Sequence, residues 1–268
     1  MNTRFILIAA LGLLIISGLV AGLFTGSMQR ALAGQPMMPA APAVSPPQGV
    51  AVATGTPAAV APATPTMQTQ MPITPLARDT FQRPDQALWG TALDGNTWGG
   101  DANNTASQVF SITGGMGKIT GGKGAFNALL GQGGNNVEVL VTGSANQFAG
   151  GANLGVVLRW TDTNNWYKAL IDGDNLSILK RVNGTTTTLK SVPFPAQGGV
   201  TYSIRFRAVG ATLYSRAWRS DTTEPTKWLL TTNDISFTTG QVGVRVVLQN
   251  GIEIRITSFM ATTASSVA

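Results

Sequence analysis

The chain has 268 residues with no Cys and no His, which removes disulfides, thiol nucleophiles, Cys/His zinc sites and imidazole bases together. Charged residues make up 11% of it, against about 25% in an ordinary soluble domain. The basic residues are scattered and form no patch or stripe, which speaks against a nucleic-acid surface.

Phe5–Phe24 is a run of 20 residues without a charge, long enough at about 1.5 Å per residue to cross the roughly 30 Å of a bilayer core. One transmembrane or signal helix is therefore expected within residues 1–33. The run exceeds the ~7–15 residues of a secretory signal, which favours an uncleaved anchor. The rival is cleavage at the A-x-A-type site Ala31-Leu32-Ala33, after which the protein would be secreted. Both readings place the C-terminal domain outside the cytoplasmic membrane, the first as a single-pass protein of the cell membrane. Residues 34–76 carry no charge at all and are rich in Pro and Ala. Frequent Pro removes backbone donors and favours extended chain, so this is read as a disordered spacer.

The pattern changes at Arg78-Asp79-Thr80-Phe81. Turn signals crowd the next stretch, including Asp94-Gly95, Gly99-Gly100 and Asn103-Asn104. Trp89 and Trp98 lie within it, either to pin this loop to a core or to stack on a ligand. Gln108–Ile112 reads as a short strand that Gly114–Lys118 interrupts. Phe126–Leu130 is apolar between glycines. Asn136–Thr142 puts Val137, Val139 and Val141 on one face. Asn153–Thr161 puts Leu154, Val156, Leu158 and Trp160 opposite Gly155, Val157 and Arg159. Asp162–Asn165 turns the chain into Trp166–Asp172. A second turn at Asp172-Gly173-Asp174-Asn175 leads to Leu176–Val182, and Asn183-Gly184 is a strong hairpin signal before Thr185–Leu189. Further strands are expected at Thr201–Val209, Thr212–Arg219, Trp228–Leu230, Gln241–Leu248 and Gly251–Phe259. No helical period appears after Leu76. Residues 77–263 are therefore expected to form an all-β, antiparallel two-sheet sandwich, with 264–268 as a tail.

The succession RDTFQRPD, NLGVVLRWTDTNNWYKALIDG, LSILKRVNGTTTTL and TYSIRFRAVGATLYSRAW resembles the concanavalin A-like lectin/glucanase jelly rolls, in particular the laminin-G-like modules of exported bacterial proteins. The resemblance spans about 77–262. It implies a jelly roll whose ligands lie on one sheet or at its rim, and a family that holds sugar-binding, adhesion, calcium-bound and glycoside-hydrolysing members. The hydrolases carry acids in an E-x-D-x-x-E pattern on one strand. Here Glu138, Glu224 and Glu253 are the only glutamates, and none has an Asp two residues away on a strand. Hydrolysis by paired carboxylates is therefore not expected from these residues.

The candidate ligand-binding residues are Arg159, Trp160, Asp162, Asn165, Trp166, Tyr167 and Lys168 around the first turn of the central meander, together with Trp218. Aromatic faces stack on sugar rings, while Asn, Asp and Arg bond hydroxyls. The opposing reading puts the tryptophans in the core and the cations on a solvated face. Arg205, Arg207 and Arg216 with Trp218 form a second candidate surface. Asp79, Asp94, Asp101, Asp172 and Asp174 are weak candidates for a Ca²⁺ site; no other cofactor is expected. The reading is of a non-catalytic module that binds a glycan or cell-surface polymer outside the membrane. The alternatives are a structural or adhesion module for protein partners and a glycoside hydrolase with atypical acids.

Overall fold

The computed structural model describes residues 75–265. The expected N-terminal helix, its cleavage site and nearly all of the spacer lie outside the described residues.

Sixteen strands follow one another among the described residues, with a single 3-10 turn at Asp101–Asn103. They are β1 (Ala77–Asp79), β2 (Gln86–Ala87), β3 (Gly99–Gly100), β4 (Phe110–Thr113), β5 (Met116–Thr120), β6 (Gly124–Gln132), β7 (Val137–Ala145), β8 (Leu154–Asp162), β9 (Asn165–Ile171), β10 (Asn175–Val182), β11 (Thr185–Pro193), β12 (Thr201–Val209), β13 (Thr212–Arg219), β14 (Leu230–Asn233), β15 (Gln241–Leu248) and β16 (Glu253–Thr263). Sheet I runs β14-β13-β12-β7-β16-β5-β4-β2, with β1 also on β16; sheet II runs β11-β10-β9-β8-β15-β6-β3. All pairings are antiparallel.

Alternation builds the core between the sheets. Val137, Val139 and Val141 of β7 and Ile204, Phe206 and Ala208 of β12 meet Leu154, Val156 and Leu158 of β8 and Val242, Val244 and Val246 of β15, all buried in one cluster. One face of each sheet is thereby removed from water, the main stabilising term of a sandwich. The Asn183-Gly184 hairpin forms as expected, with φ of 47° and 82°.

Several strand boundaries differ from the sequence reading: the expected Trp228–Leu230 strand is Leu230–Asn233, Phe126–Leu130 extends to Gly124–Gln132, and Thr185–Leu189 runs on to Pro193. Gly114 and Gly115 do not merely break a run: they make the tight turn of a β4–β5 hairpin, so Met116–Thr120 is a strand. The last strand continues past Phe259 to Thr263, because Ala261 pairs with Ala77 on one side and Val139 on the other.

The start of the domain is locked by a buried acid. Asp79 accepts hydrogen bonds from Trp98 Nε1 (2.7 Å), Phe81 N (2.8 Å) and both terminal nitrogens of Arg83 (2.8 and 3.0 Å). Phe81, Trp89 and Trp98 pack edge-on and stacked with one another and with Phe110 and Phe259. Trp89 and Trp98 are completely buried. They therefore pin the loop to the core, and the ligand-stacking alternative for them is excluded.

β8 carries a bulge that changes the reading of its second half. Between Val157 and Trp160 it holds one residue more than β15, and between Leu158 and Asp162 two more than β9. Arg159 takes up the excess at φ 48°. Gly240 makes this possible: at φ +148°, it lies so close that a Cβ there would sit 2.4 Å from the Arg159 carbonyl carbon. A bulge shifts the following side chain to the other face. Trp160, expected beside Leu158, instead joins Leu129, Val157 and Trp166 in a separate cluster on the outer face of sheet II.

Candidate functional site

The bulge divides the seven residues of the meander cluster between three places. Arg159 points inward at one end of the sandwich and is 1% exposed. Its guanidinium donates to the carbonyls of Phe237 (2.7 Å), Asn135 (2.7 Å) and Gly210 (2.6 Å), tying three loops together. Burial lowers its pKa. Tyr167 also faces the core. Its hydroxyl donates to Asp234 Oδ1 (2.6 Å) and accepts from Phe237 N (3.1 Å), and its ring meets Phe237 edge-on. Burial, reinforced by the hydrogen bond to Asp234, pushes the phenol up to about 12. Burial also pulls the Asp234 carboxyl upward, but hydrogen bonds from Lys180, Ser236 and Tyr167 outweigh it and hold the group far below the usual carboxylate range.

Asp162 and Asn165 occupy the tip of the β8–β9 hairpin. Asp162 accepts from the Asn165 side chain (2.9 and 3.1 Å) and from Asn164 N (2.6 Å), and these bonds lower its pKa. Asn165 Oδ1 accepts from Asn183 N (3.0 Å), joining the two neighbouring hairpin tips.

Trp160, Trp166 and Lys168 share the outer face of sheet II. The indoles are parallel within 4°, with centroids 6.5 Å apart. Trp166 Nε1 donates to Thr163 O (3.1 Å), which fixes its ring against the hairpin tip. The side chain that completes this face, Arg245 on β15, is not among the residues expected from the sequence. Its guanidinium lies 4.8 Å from the Trp166 centroid and 5.6 Å from that of Trp160, within cation–π range. Arg245 Nη1 donates to Asn127 Oδ1, and Asn127 is held in turn by Asp101 Oδ2 through its backbone N–H (2.8 Å) and side chain (3.3 Å). The one sequence signal for Arg245 is parity: in QVGVRVVL it alternates with Val244 and Val246, which face the core.

Lys168 crosses beneath this group. Gly155 on β8 leaves room for it, since a Cβ there would sit 2.3 Å from Lys168 Cε. Its ammonium is buried and donates to Asn153 Oδ1 (2.5 Å). Burial, and then the charge of Arg245, drive its pKa well below the ordinary lysine value. Arg245 is lowered to about 10 by burial and by the nearby charge of Arg181. The site is thus two parallel indoles and a row of cations backed by neutral amides.

Trp218 stands elsewhere, on β13 of sheet I. The second candidate surface lies on that sheet and is an ion-pair network. Arg205 donates to Glu138 through Nη1 and to both oxygens of Glu224 (2.6 and 2.8 Å). Arg216 pairs with Glu224 (2.6 Å) and covers the Trp228 ring at 4.3 Å. Burial raises the Glu224 pKa, but Arg205 and Arg216 outweigh it, and the carboxyl lies below its usual range.

Four of the five calcium candidates are engaged by local structure. Asp79 is saturated as described. Asp94 accepts from Arg78 N (2.5 Å) and Asn96 N (2.9 Å), Asp101 holds Asn127, and Asp172 caps its own turn at Asp174 N and Asn175 N. Among the described residues no three acidic side chains converge.

No family model matches the chain, and no curated protein matches it in sequence. Solved structures do match in shape. The carbohydrate binding module CBM66 from Bacillus subtilis is 16% identical, with a TM-score of 0.51 over 62% of this chain and 95% of that one. The xylan β-1,4-xylosidase from Bacillus halodurans C-125 is 15% identical, with a TM-score of 0.53 over 69% of this chain. That match spans only 38% of the xylosidase. The carbohydrate recognition domain of Emp46p, in its potassium-bound form, is 11% identical, with a TM-score of 0.51 over 71% of this chain and 97% of that one. Such low identities speak for the fold alone, and the fold they share with this chain is the concanavalin A-like jelly-roll β-sandwich.

Proposed function

We propose that this protein is a non-catalytic carbohydrate-binding module displayed outside the cytoplasmic membrane, and that sugar is taken on the outer face of sheet II. The observation that carries the reading is the Trp160–Trp166 pair with Arg245 above it. The two indoles are 5% and 3% exposed and form the apolar floor of this face, and Arg245 and Arg181 supply the hydrogen-bond groups that lie above it. The likeness in shape to a carbohydrate binding module and to a carbohydrate recognition domain supports a sugar as the ligand. The apolar N-terminal run supports a location outside the membrane.

The absence of catalysis is part of the proposal. A glycosidase needs one protonated carboxyl and a second carboxylate facing it across a bond. Glu138 and Glu224 share the Arg205 guanidinium, and Glu224 is held in its charged form.

The test is calorimetric titration of the full-length protein with a panel of soluble plant, microbial and matrix oligosaccharides, alongside a reducing-sugar assay. The expected result is saturable heat for at least one class, lost in Trp166→Ala, with no sugar released. Heat with every sugar absent, or heat retained in Trp166→Ala, overturns the site. Release of reducing ends overturns the non-catalytic assignment.

A further inference from the structure

Every acidic side chain of this protein can be accounted for, because residues 1–78 contain neither Asp nor Glu. On sheet I and at the ends of the sandwich, acids pair with cations: Glu138 and Glu224 with Arg205, Asp234 with Lys180, Glu253 with Lys118 and Arg255. On the outer face of sheet II they do not. No ion pair among the described residues includes Arg245, Arg181 or Lys168. Arg245 rests on an amide oxygen and two indoles, Lys168 on an amide oxygen. Arg181 donates to Thr186 Oγ1 (3.2 Å), while its Nε is buried with no hydrogen-bond partner. Asp101 and Asp172 act on this group only through space.

Cations gathered without a counter-charge in a partly dry site repel one another and pay for desolvation. An arriving anion removes both penalties, and a planar guanidinium meets a carboxylate or sulfate with two parallel hydrogen bonds. The spacer cannot supply that anion, since it carries no acid. Resting on the assignment of this face as a sugar site, we propose that its ligand is an acidic saccharide, whose carboxylate or sulfate meets Arg245 and Arg181 above the buried Trp160 and Trp166. The lowered lysine and arginine pKa values agree, since they reflect burial and repulsion from neighbouring cations.

The experiment titrates the full-length protein with trigalacturonate and with its neutral methyl ester, and in parallel with dextran sulfate and with dextran. The expected result is binding at least about tenfold tighter to one acidic probe than to its neutral counterpart, weakening as salt is raised. Which probe wins identifies carboxylate or sulfate. Arg245→Gln should abolish the preference, and Arg181→Gln, at a more peripheral position, should reduce it with less demand on folding. Equal binding of charged and neutral probes overturns this inference and leaves the sugar site standing. Binding of no sugar overturns both. A preference that survives in both variants, or polyphosphate bound as tightly as the better acidic probe, also overturns it.

Discussion

The outer faces of the two sheets treat their arginines in opposite ways. On sheet I, Arg205 and Arg216 are clamped by Glu138 and Glu224, with Arg216 over Trp228. On sheet II, Arg245 lies over Trp160 and Trp166 with only the Asn127 amide to receive it. A compensated network of charges has its hydrogen-bonding capacity used up within the protein. An uncompensated one keeps electrostatic attraction in reserve for a ligand. The comparison separates two aromatic–arginine surfaces: one is a compensated ion-pair network, the other the proposed recognition surface.

The sharpest way to break the comparison is to remove what places Trp160 on its face. Arg159→Ala should cost about 3–5 kcal/mol, since the loops of Asn135, Gly210 and Phe237 lose their common donor and a cavity opens in its place. Gly240→Ala should be comparably damaging through the bulge. Denaturant unfolding checks both, and a loss under about 1 kcal/mol would show that the bulge is not held from this side.

Next in size is the pH dependence of the sandwich end beneath the bulge. Tyr167 has its pKa raised to about 12 in the folded state, against about 10 unfolded. Its contribution is full below pH ~10 and is lost as pH rises toward about 12, roughly 2 kcal/mol in all. Asp234 runs the other way: its folded value is depressed, so its contribution is full above pH ~4 and is lost as pH falls below that. Tyr167→Phe should flatten the alkaline limb and Asp234→Asn the acid limb of the stability curve. Unchanged limbs would remove these two groups from the account.

Two smaller effects sharpen the contrast between the faces directly. Glu224→Gln on sheet I should cost about 1–2 kcal/mol, because it strips Arg205 and Arg216 of a shared partner that is partly exposed. It should leave saccharide binding unaltered. Arg245→Gln on sheet II should change stability by no more than about 1 kcal/mol, since the lost stacking on the indoles is offset by relief of repulsion with Arg181. It should remove binding to acidic sugar. Stability measured with binding heat on both variants settles the contrast; a Glu224→Gln protein that loses binding would mean that the faces had been assigned the wrong way round.

Much of the fold was legible in the residues. Strict alternation in TYSIRFRAV and QVGVRVVL predicts β12 and β15 with their observed bounds, and Asn183-Gly184 predicts the hairpin that follows β10. These signals are local: a half-buried strand needs a period of two, and a tight turn needs residues that tolerate positive φ. The candidate site was legible only in part. Trp160, Trp166 and Lys168 belong to it, whereas Arg159 and Tyr167 in the same stretch face inward, and Arg245, Asn127 and Asn153 come from other strands and loops.

What the sequence alone determined is the class of protein: all-β, without His or Cys chemistry, with a long apolar run and an uncharged spacer before the sandwich. What only the tertiary structure decided is which side of the sheet each meander residue faces and which cations find acids. Alternation carries a side chain's direction along a strand only while the register holds. The bulge at Arg159 breaks that register, and it depends on Gly240, some 80 residues further along the chain. Charge compensation is likewise a property of strands brought side by side. Glu138 meets Arg205 because β7 lies next to β12, while the strands around Arg245 bring it amides and indoles.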